Sequence, residues 1–209
     1  MFEEIKNKLK NCTFHSLNDD RKVKLDTITD FIIKNQQQPL PSQLIFVCTH
    51  NSRRSHLSQI WFQIVAEYFS IQNVYSFSAG TEVTALHLNV IKLLENEHFK
   101  ISIEFQKKNP KVEIDYGGQQ KIISFSKTIN DVSLPKSNFS CVMTCTDAEK
   151  NCPFIPEADF RFSLPYEDPK AFDNTPQVER AYKKTSDNIL TEMMYLFSKI
   201  NNEKKIKMD

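Results

Sequence analysis

The run Leu44-Ile45-Phe46-Val47 constrains this chain more than any other feature. Four apolar residues without alternation read as a short strand buried on both faces, which is the signature of a parallel sheet. A polar loop follows, Cys48 to Arg54, and then Leu57, Ile60, Trp61, Ile64, Val65 and Tyr68 share one helical face. Val74 to Phe77 reads as a second strand, ended by Ser78-Ala79-Gly80, and a helical stretch covers about Leu86 to Glu97. Phe139 to Thr144 is another buried strand, and Arg161 to Leu164 a short final one. The last helix is the clearest, with Val178, Tyr182, Thr185, Ile189, Met193, Leu196 and Ile200 recurring every three or four residues. Strands alternating with helices imply a parallel sheet covered on both sides, whose ligands bind at the carboxyl ends of the strands. Cys48 and Cys145 both stand at such ends.

The flanks are simpler. Leu25, Ile28, Phe31 and Ile32 fall at helical spacing before the linker-like Gln36-Gln37-Gln38-Pro39, so residues 1–42 read as a helical N-terminal extension with its linker. Residues 43–200 form the expected α/β domain, and 201–209 a charged tail. Between 104 and 130 the pattern is less regular, with Tyr116-Gly117-Gly118-Gln119 as a hairpin turn. Lys+Arg 27 against Asp+Glu 26 gives a net charge of +1, which argues against a broad nucleic-acid face but not against a small anion site. The first residues carry no signal-peptide core and no stretch approaches the roughly 18 apolar residues of a membrane span, so a cytoplasmic protein without membrane contact is expected. Five cysteines, an odd number, do not suit a static disulfide framework there. Buried thiols, a metal site, or redox and nucleophilic chemistry stay open.

Cys48-Thr49-His50-Asn51-Ser52-Arg53-Arg54-Ser55 lies between the best strand and an amphipathic helix. A loop entering a helix points free backbone N–H groups inward, and the helix dipole adds positive potential. A tetrahedral dianion could sit there, with Arg54 making paired hydrogen bonds to two of its oxygens. The same field favours Cys48 as a thiolate nucleophile. The competing reading is a small buried residue ending a strand, with Arg53 and Arg54 as solvated charges.

The segment Val47 to Ser55 resembles the signature of low-molecular-weight protein tyrosine phosphatases and of the thioredoxin-coupled arsenate reductases that share their fold. Three further matches follow in the family's order: Ser78-Ala79-Gly80-Thr81, then Val142-Met143-Thr144-Cys145 with Asn151-Cys152-Pro153, then Glu167-Asp168-Pro169. The resemblance covers about residues 43–200 and implies a flavodoxin-like three-layer fold with a central four-stranded parallel sheet. It implies Cys48 as the nucleophile, Thr49 to Arg54 as oxyanion donors, Asn51 and Ser55 as loop-shaping residues, and Asp168 as the acid protonating the departing oxygen. In the reductases, the thiol matching Cys145 attacks the adduct on the first cysteine, and the thiol matching Cys152 resolves the resulting disulfide for thioredoxin.

Two activities therefore follow as expectations. The first is reduction of arsenate to arsenite through Cys48, Cys145 and Cys152, with thioredoxin as partner and reductant. The alternative is hydrolysis of phosphate monoesters through a phosphocysteine, needing only Cys48, Arg54 and Asp168. A non-enzymatic redox sensor is a third reading that leaves Asp168 without a role. No bound cofactor and no metal are expected, because Cys141, Cys145 and Cys152 contain no C-x-x-C pair. The chain also departs from the family pattern. His50 stands where glycine is common and Arg53 where cysteine is frequent. Gln59 replaces the glutamate through which some reductases hold potassium, and Lys170 replaces the tyrosine that phosphatases place after Asp-Pro.

Overall fold

The computed structural model describes residues 1–14, 17–38, 41–104, 108–146 and 155–206. Among these residues seven strands and five α-helices follow in the order α1 (Glu3–Lys10), α2 (Asp19–Gln36), β1 (Ser42–Cys48), α3 (Arg54–Tyr68), β2 (Val74–Gly80) and α4 (Leu88–Asn96). Next come β3 (Lys100–Ile103), β4 (Val112–Asp115), β5 (Ile122–Ser124), β6 (Phe139–Met143) and β7 (Ala158–Ser163). A 3₁₀ turn at Pro169–Phe172 precedes the final helix α5 (Val178–Ile206).

The main sheet is parallel and ordered β2-β1-β6-β7. The apolar run Leu44 to Val47 occupies a central strand with at most 1% exposure, as a strand covered on both faces requires. Phe139 to Met143 is buried throughout beside it. β2 and β7 form the edges. The hairpin expected around residues 116–119 is present between β4 and β5, but it belongs to a separate antiparallel sheet, β3-β4-β5.

One face of the main sheet presents Leu44, Phe46 and Val142 to the helices. α3 is buried almost all round, so its weak amphipathicity suits a central helix rather than a surface one. Trp61 Nε1 donates to Ser186 Oγ at 2.8 Å, and the Phe62 ring meets Phe197 edge-on at 4.8 Å, which locks α3 to α5. The opposite face presents Ile45, Val47, Ala79, Cys141 and Met143, covered by Leu134, Ile129 and Ile155.

α1 and α2 pack into the same apolar cluster as β1, α3 and α5, through Ile5, Leu9, Leu25, Ile28 and Ile32. Polar ties reinforce them. Lys8 bridges Glu97 and Asp187, and Arg21 pairs with Glu192 on α5. Leu9 is fully buried, and truncating a buried leucine costs about 2–5 kcal/mol. Leu9→Ala should therefore lower the urea midpoint of the whole chain in a single transition. An unchanged midpoint would mean that α1 adds nothing to the core.

Candidate active site

β1 carries Cys48 to the carboxyl edge of the sheet, and β6 carries Thr144 and Cys145 alongside it. Strand order reverses between β1 and β6, where the connections diverge and leave a crevice. The loop 49–53 fills that crevice and runs directly into α3.

The carbonyls of this loop are all spoken for. Thr49 O accepts from the N–H groups of Thr81 and Glu82, both at 2.9 Å, and Ser52 O accepts from His87 N at 3.1 Å. His50 O accepts from Thr84 Oγ1 at 2.9 Å and Ser126 Oγ at 3.0 Å, and Asn51 O from His56 Nε2 at 2.9 Å. By contrast, no N–H of residues 49–53 finds a protein acceptor among the described residues. The carbonyls face out and the donors are left over, at the positive end of α3, where Arg53 supplies no side-chain cap. Such a nest of N–H groups binds anions.

Two residues hold that geometry. Asn51 is left-handed (φ 42°), a conformation that asparagine tolerates better than most residues. Its amide donates to Ser55 Oγ at 2.9 Å and accepts from Lys127 N at 2.8 Å. Ser55 Oγ lies 3.1 Å from Cys48 Sγ. Because Ser55 already accepts from Asn51, its own proton is free to go to the sulfur once Cys48 has ionised. Gly80 is the second. A Cβ there would stand 2.7 Å from Asn51 N and Thr49 O.

His56 sits beneath the loop, fully buried. Its partner Asn51 O can only accept, so Nε2 carries the proton and Nδ1 accepts from Ser78 Oγ at 3.1 Å. Burial, helped by the charge of Lys127, pushes its pKa down to about 3, so it stays neutral.

The two arginines reach across to the segment 166–173. Arg54, only 8% exposed, donates from Nη1 to Tyr166 O at 3.1 Å and from Nη2 to Asp168 Oδ2 at 2.6 Å. Its buried Nε has no hydrogen-bond partner among the described residues. Arg53 donates to Tyr182 OH at 2.5 Å and to Asp173 Oδ2 at 2.6 Å, and Tyr182 in turn donates to Asp173 Oδ1 at 2.7 Å. Burial alone would raise the Asp173 carboxyl, but the Tyr182 hydrogen bond and the Arg53 charge outweigh it and hold it below its usual range. Burial lifts the Tyr182 phenol to about 12. Tyr166 is fixed from behind: its hydroxyl donates to Glu192 Oε2 at 2.7 Å, and Arg21 stacks 4.7 Å over its ring while pairing with Glu192.

Cys48, Asn51, Ser55, Arg54 and Asp168 thus converge on one crevice, while Thr49, His50, Ser52 and Arg53 supply its rim and backbone. His50 stands at the rim with Nε2 3.5 Å from Glu82. Cys145 is buried with its sulfur 3.6 Å from Thr49 Oγ1, and no two of the described cysteines, Cys12, Cys48, Cys141 and Cys145, are joined in a disulfide. Cys152 lies outside the described residues. Among the described residues no group of three His, Cys, Asp or Glu side chains is placed to hold a metal ion. Sequence reasoning did not find His56, Asp173, Tyr182 or Glu192, whose partners are mostly remote in the chain and leave no local pattern. A cavity of about 720 Å³ between α1, α4 and α5 reaches this site only through Asn89 and Tyr182, outside the anion loop.

No protein-family model and no curated protein matches the sequence. Solved structures do match the fold. A low molecular weight protein tyrosine phosphatase from T. tengcongensis aligns at 18% identity over 76% of this chain and 99% of its own, with a TM-score of 0.53. A mutant of YwlE from Bacillus subtilis aligns at 18% identity over 76% and 97%, with a TM-score of 0.51. A protein tyrosine phosphatase from Entamoeba histolytica, holding Hepes in its active site, aligns at 16% identity over 78% and 99%, with a TM-score of 0.51. The chain therefore has the fold of the low-molecular-weight phosphatases.

Two outcomes follow from the loop geometry. Gly80→Ala should destabilise the chain by about 1–3 kcal/mol, the usual cost of overpacking, read as a lower urea midpoint. An unchanged midpoint would mean that the loop can step back from Gly80. His56 gives a pH signature. Below its ordinary value of 6.5 the unfolded chain binds a proton that the folded chain refuses until about pH 3. Stability therefore falls as pH drops through that window, by about 2–3 kcal/mol at pH 4.5 from this group alone. Urea midpoints at pH 7 and 4.5 should show a smaller acid loss for His56→Asn than for the unmodified chain.

Proposed function

We propose that the chain is a thiolate-dependent phosphatase acting on phosphate monoesters. The observation that carries this reading is the 2.6 Å contact of Asp168 Oδ2 with Arg54, the residue that follows the anion loop directly, while Cys48 ends β1 at the start of that loop. Nucleophile, oxyanion cradle and candidate acid stand in one crevice on a fold shared with phosphatases.

The chemistry follows from these contacts. An incoming phosphate takes the N–H groups of 49–53 and displaces Asp168 from Nη2 of Arg54, so one anion replaces another on the guanidinium. The ester enters as its monoanion, and the proton it carries passes to the freed Asp168 carboxylate, leaving the bound phosphate a dianion. The Cys48 thiolate attacks phosphorus, forming the S–P bond as the P–O ester bond breaks. The ester oxygen leaves with the bonding pair and takes the proton of Asp168. Water then attacks the phosphocysteine, Asp168 accepts its proton, and the S–P bond breaks to restore the thiolate. Ser55 steadies the sulfur at both stages.

Hydrolysis of p-nitrophenyl phosphate tests this. Cys48→Ser should abolish turnover, and Asp168→Asn should lower kcat by about 10²–10⁴-fold, the usual worth of a positioned acid. Full activity in Cys48→Ser would overturn the mechanism.

A second reading, reduction of arsenate with thioredoxin, is favoured by one observation: Cys145 Sγ lies 3.6 Å from Thr49 Oγ1, beside the residue that follows the nucleophile. NADPH oxidation with arsenate, thioredoxin and thioredoxin reductase separates the two. In a phosphatase Cys145→Ser leaves ester hydrolysis within about twofold and arsenate drives no oxidation. In a reductase arsenate-dependent oxidation is present and that variant abolishes it.

A further inference from the structure

A second cavity, about 400 Å³, opens behind the anion loop, where the second turn of α3 meets β2 and β5. Both strands are edges of their sheets. Lys111, Lys121 and Lys127 line it together with amide and aromatic side chains, and no carboxylate does. In a chain of net charge +1, that is a local excess of positive charge.

Two of the lining groups lack what burial demands. Lys127 is only 5% exposed. Its ammonium donates to Phe125 O at 3.1 Å and lies 4.1 Å over the Phe125 ring, yet no carboxylate oxygen among the described residues is within 4 Å of it. A buried cation without a counter-ion is costly. Burial lowers its pKa to about 8 against the opposing pull of the more distant Asp131 carboxylate, so it remains mainly charged at neutral pH. Gln59, 8% exposed, has an Oε1 with no hydrogen-bond partner among the described residues. Lys121 is engaged with Glu113 at 2.6 Å, whereas Lys111 makes no ion pair among the described residues. At the mouth, Tyr75 offers a half-exposed ring.

We propose that this cavity binds a small organic phosphate. Its anionic oxygens meet Lys127 and Lys111, a hydroxyl or N–H of its body donates to Gln59 Oε1, and its apolar part lies against Tyr75. Anion, donor and flat surface are each called for by a group that the fold leaves unsatisfied or exposed. The position also gives the ligand a hold on the anion loop. Lys127 N donates to Asn51 Oδ1 at 2.8 Å, Lys127 O accepts from Gly80 N at 2.9 Å, and neighbouring Ser126 Oγ donates to His50 O at 3.0 Å. Occupancy of the cavity therefore bears on Asn51, whose left-handed backbone shapes the loop, and binding at the two anion sites is linked in both directions.

The probe is α-hydroxybenzylphosphonate, which carries an anion, a hydroxyl donor and a ring and cannot be hydrolysed as an ester. Calorimetric titration of the full chain should show two sites. Arg54→Met, which removes the guanidinium of the loop site, should keep one, and adding Lys127→Met should weaken that one at least tenfold. Gln59→Leu in the Arg54→Met background should weaken it about fivefold to tenfold, for a lost hydrogen bond, and it covers the case in which Lys127→Met fails to fold. Backbone amide NMR shifts on titration of Arg54→Met should centre on Gln59 and Lys127 and extend to Asn51. Loss of all binding in Arg54→Met, or binding there that ignores both Lys127→Met and Gln59→Leu, would overturn the proposal. Neither outcome touches the ester-hydrolysis test, and a chain that hydrolyses no ester could still show this site.

Discussion

The structure turns on a segment of five residues, 49–53, whose carbonyls are all bonded and whose N–H groups are left without protein acceptors among the described residues. Leaving several donors unpaired in a crevice is unfavourable unless an anion or water completes them. The rest of the site serves to keep them that way. Gly80 lets the loop approach the end of β2, Asn51 takes the left-handed turn, and neutral His56 holds the Asn51 carbonyl from below. A protonated His56 would add a cation with no counter-ion at the same spot, and its depressed pKa is the electrostatic record of that cost.

A buried guanidinium is a second constraint. Arg54 is too deep to go unpaired, and in the free protein Asp168 supplies the negative charge. In the proposed mechanism substrate and Asp168 compete for this one cation, which weakens substrate binding and keeps the acid close to the bound ester. Arg53 does the complementary work on Asp173, so the segment 166–173 is held at both ends by two adjacent residues where the loop enters α3. The arginine at position 53, which stands where cysteine is frequent in the family that the sequence resembles, is spent on this fastening.

How much of this was legible depended on whether a feature is local. β1, α3 and α5 show in the sequence because an unbroken apolar run and a 3.6-residue period each need only neighbouring residues. β3 did not show: Lys-Ile-Ser-Ile is four residues long, half-exposed, and made a strand by pairing with β4. β7 begins at Ala158 rather than Arg161, since an edge strand with exposed side chains carries little hydrophobic signal. The same division runs through the site. Cys48, Arg54 and Asp168 stood out through order and motif. Glu192 and Tyr182 looked only like members of a helix, and their roles come from Tyr166 and Asp173 meeting them in space.

The Arg21–Glu192–Tyr166 cluster ties the crevice to both ends of the polypeptide. During synthesis the anion loop, β1 and α3 leave the ribosome long before Glu192 does. Until α5 has emerged and docked, Tyr166 has no acid to hold it, and neither its carbonyl nor Asp168 is positioned beside Arg54. A nascent chain therefore carries Cys48 before the partners of the proposed mechanism are assembled around it. The thiol is at its most vulnerable to oxidation in the interval between the translation of β1 and the docking of the last helix.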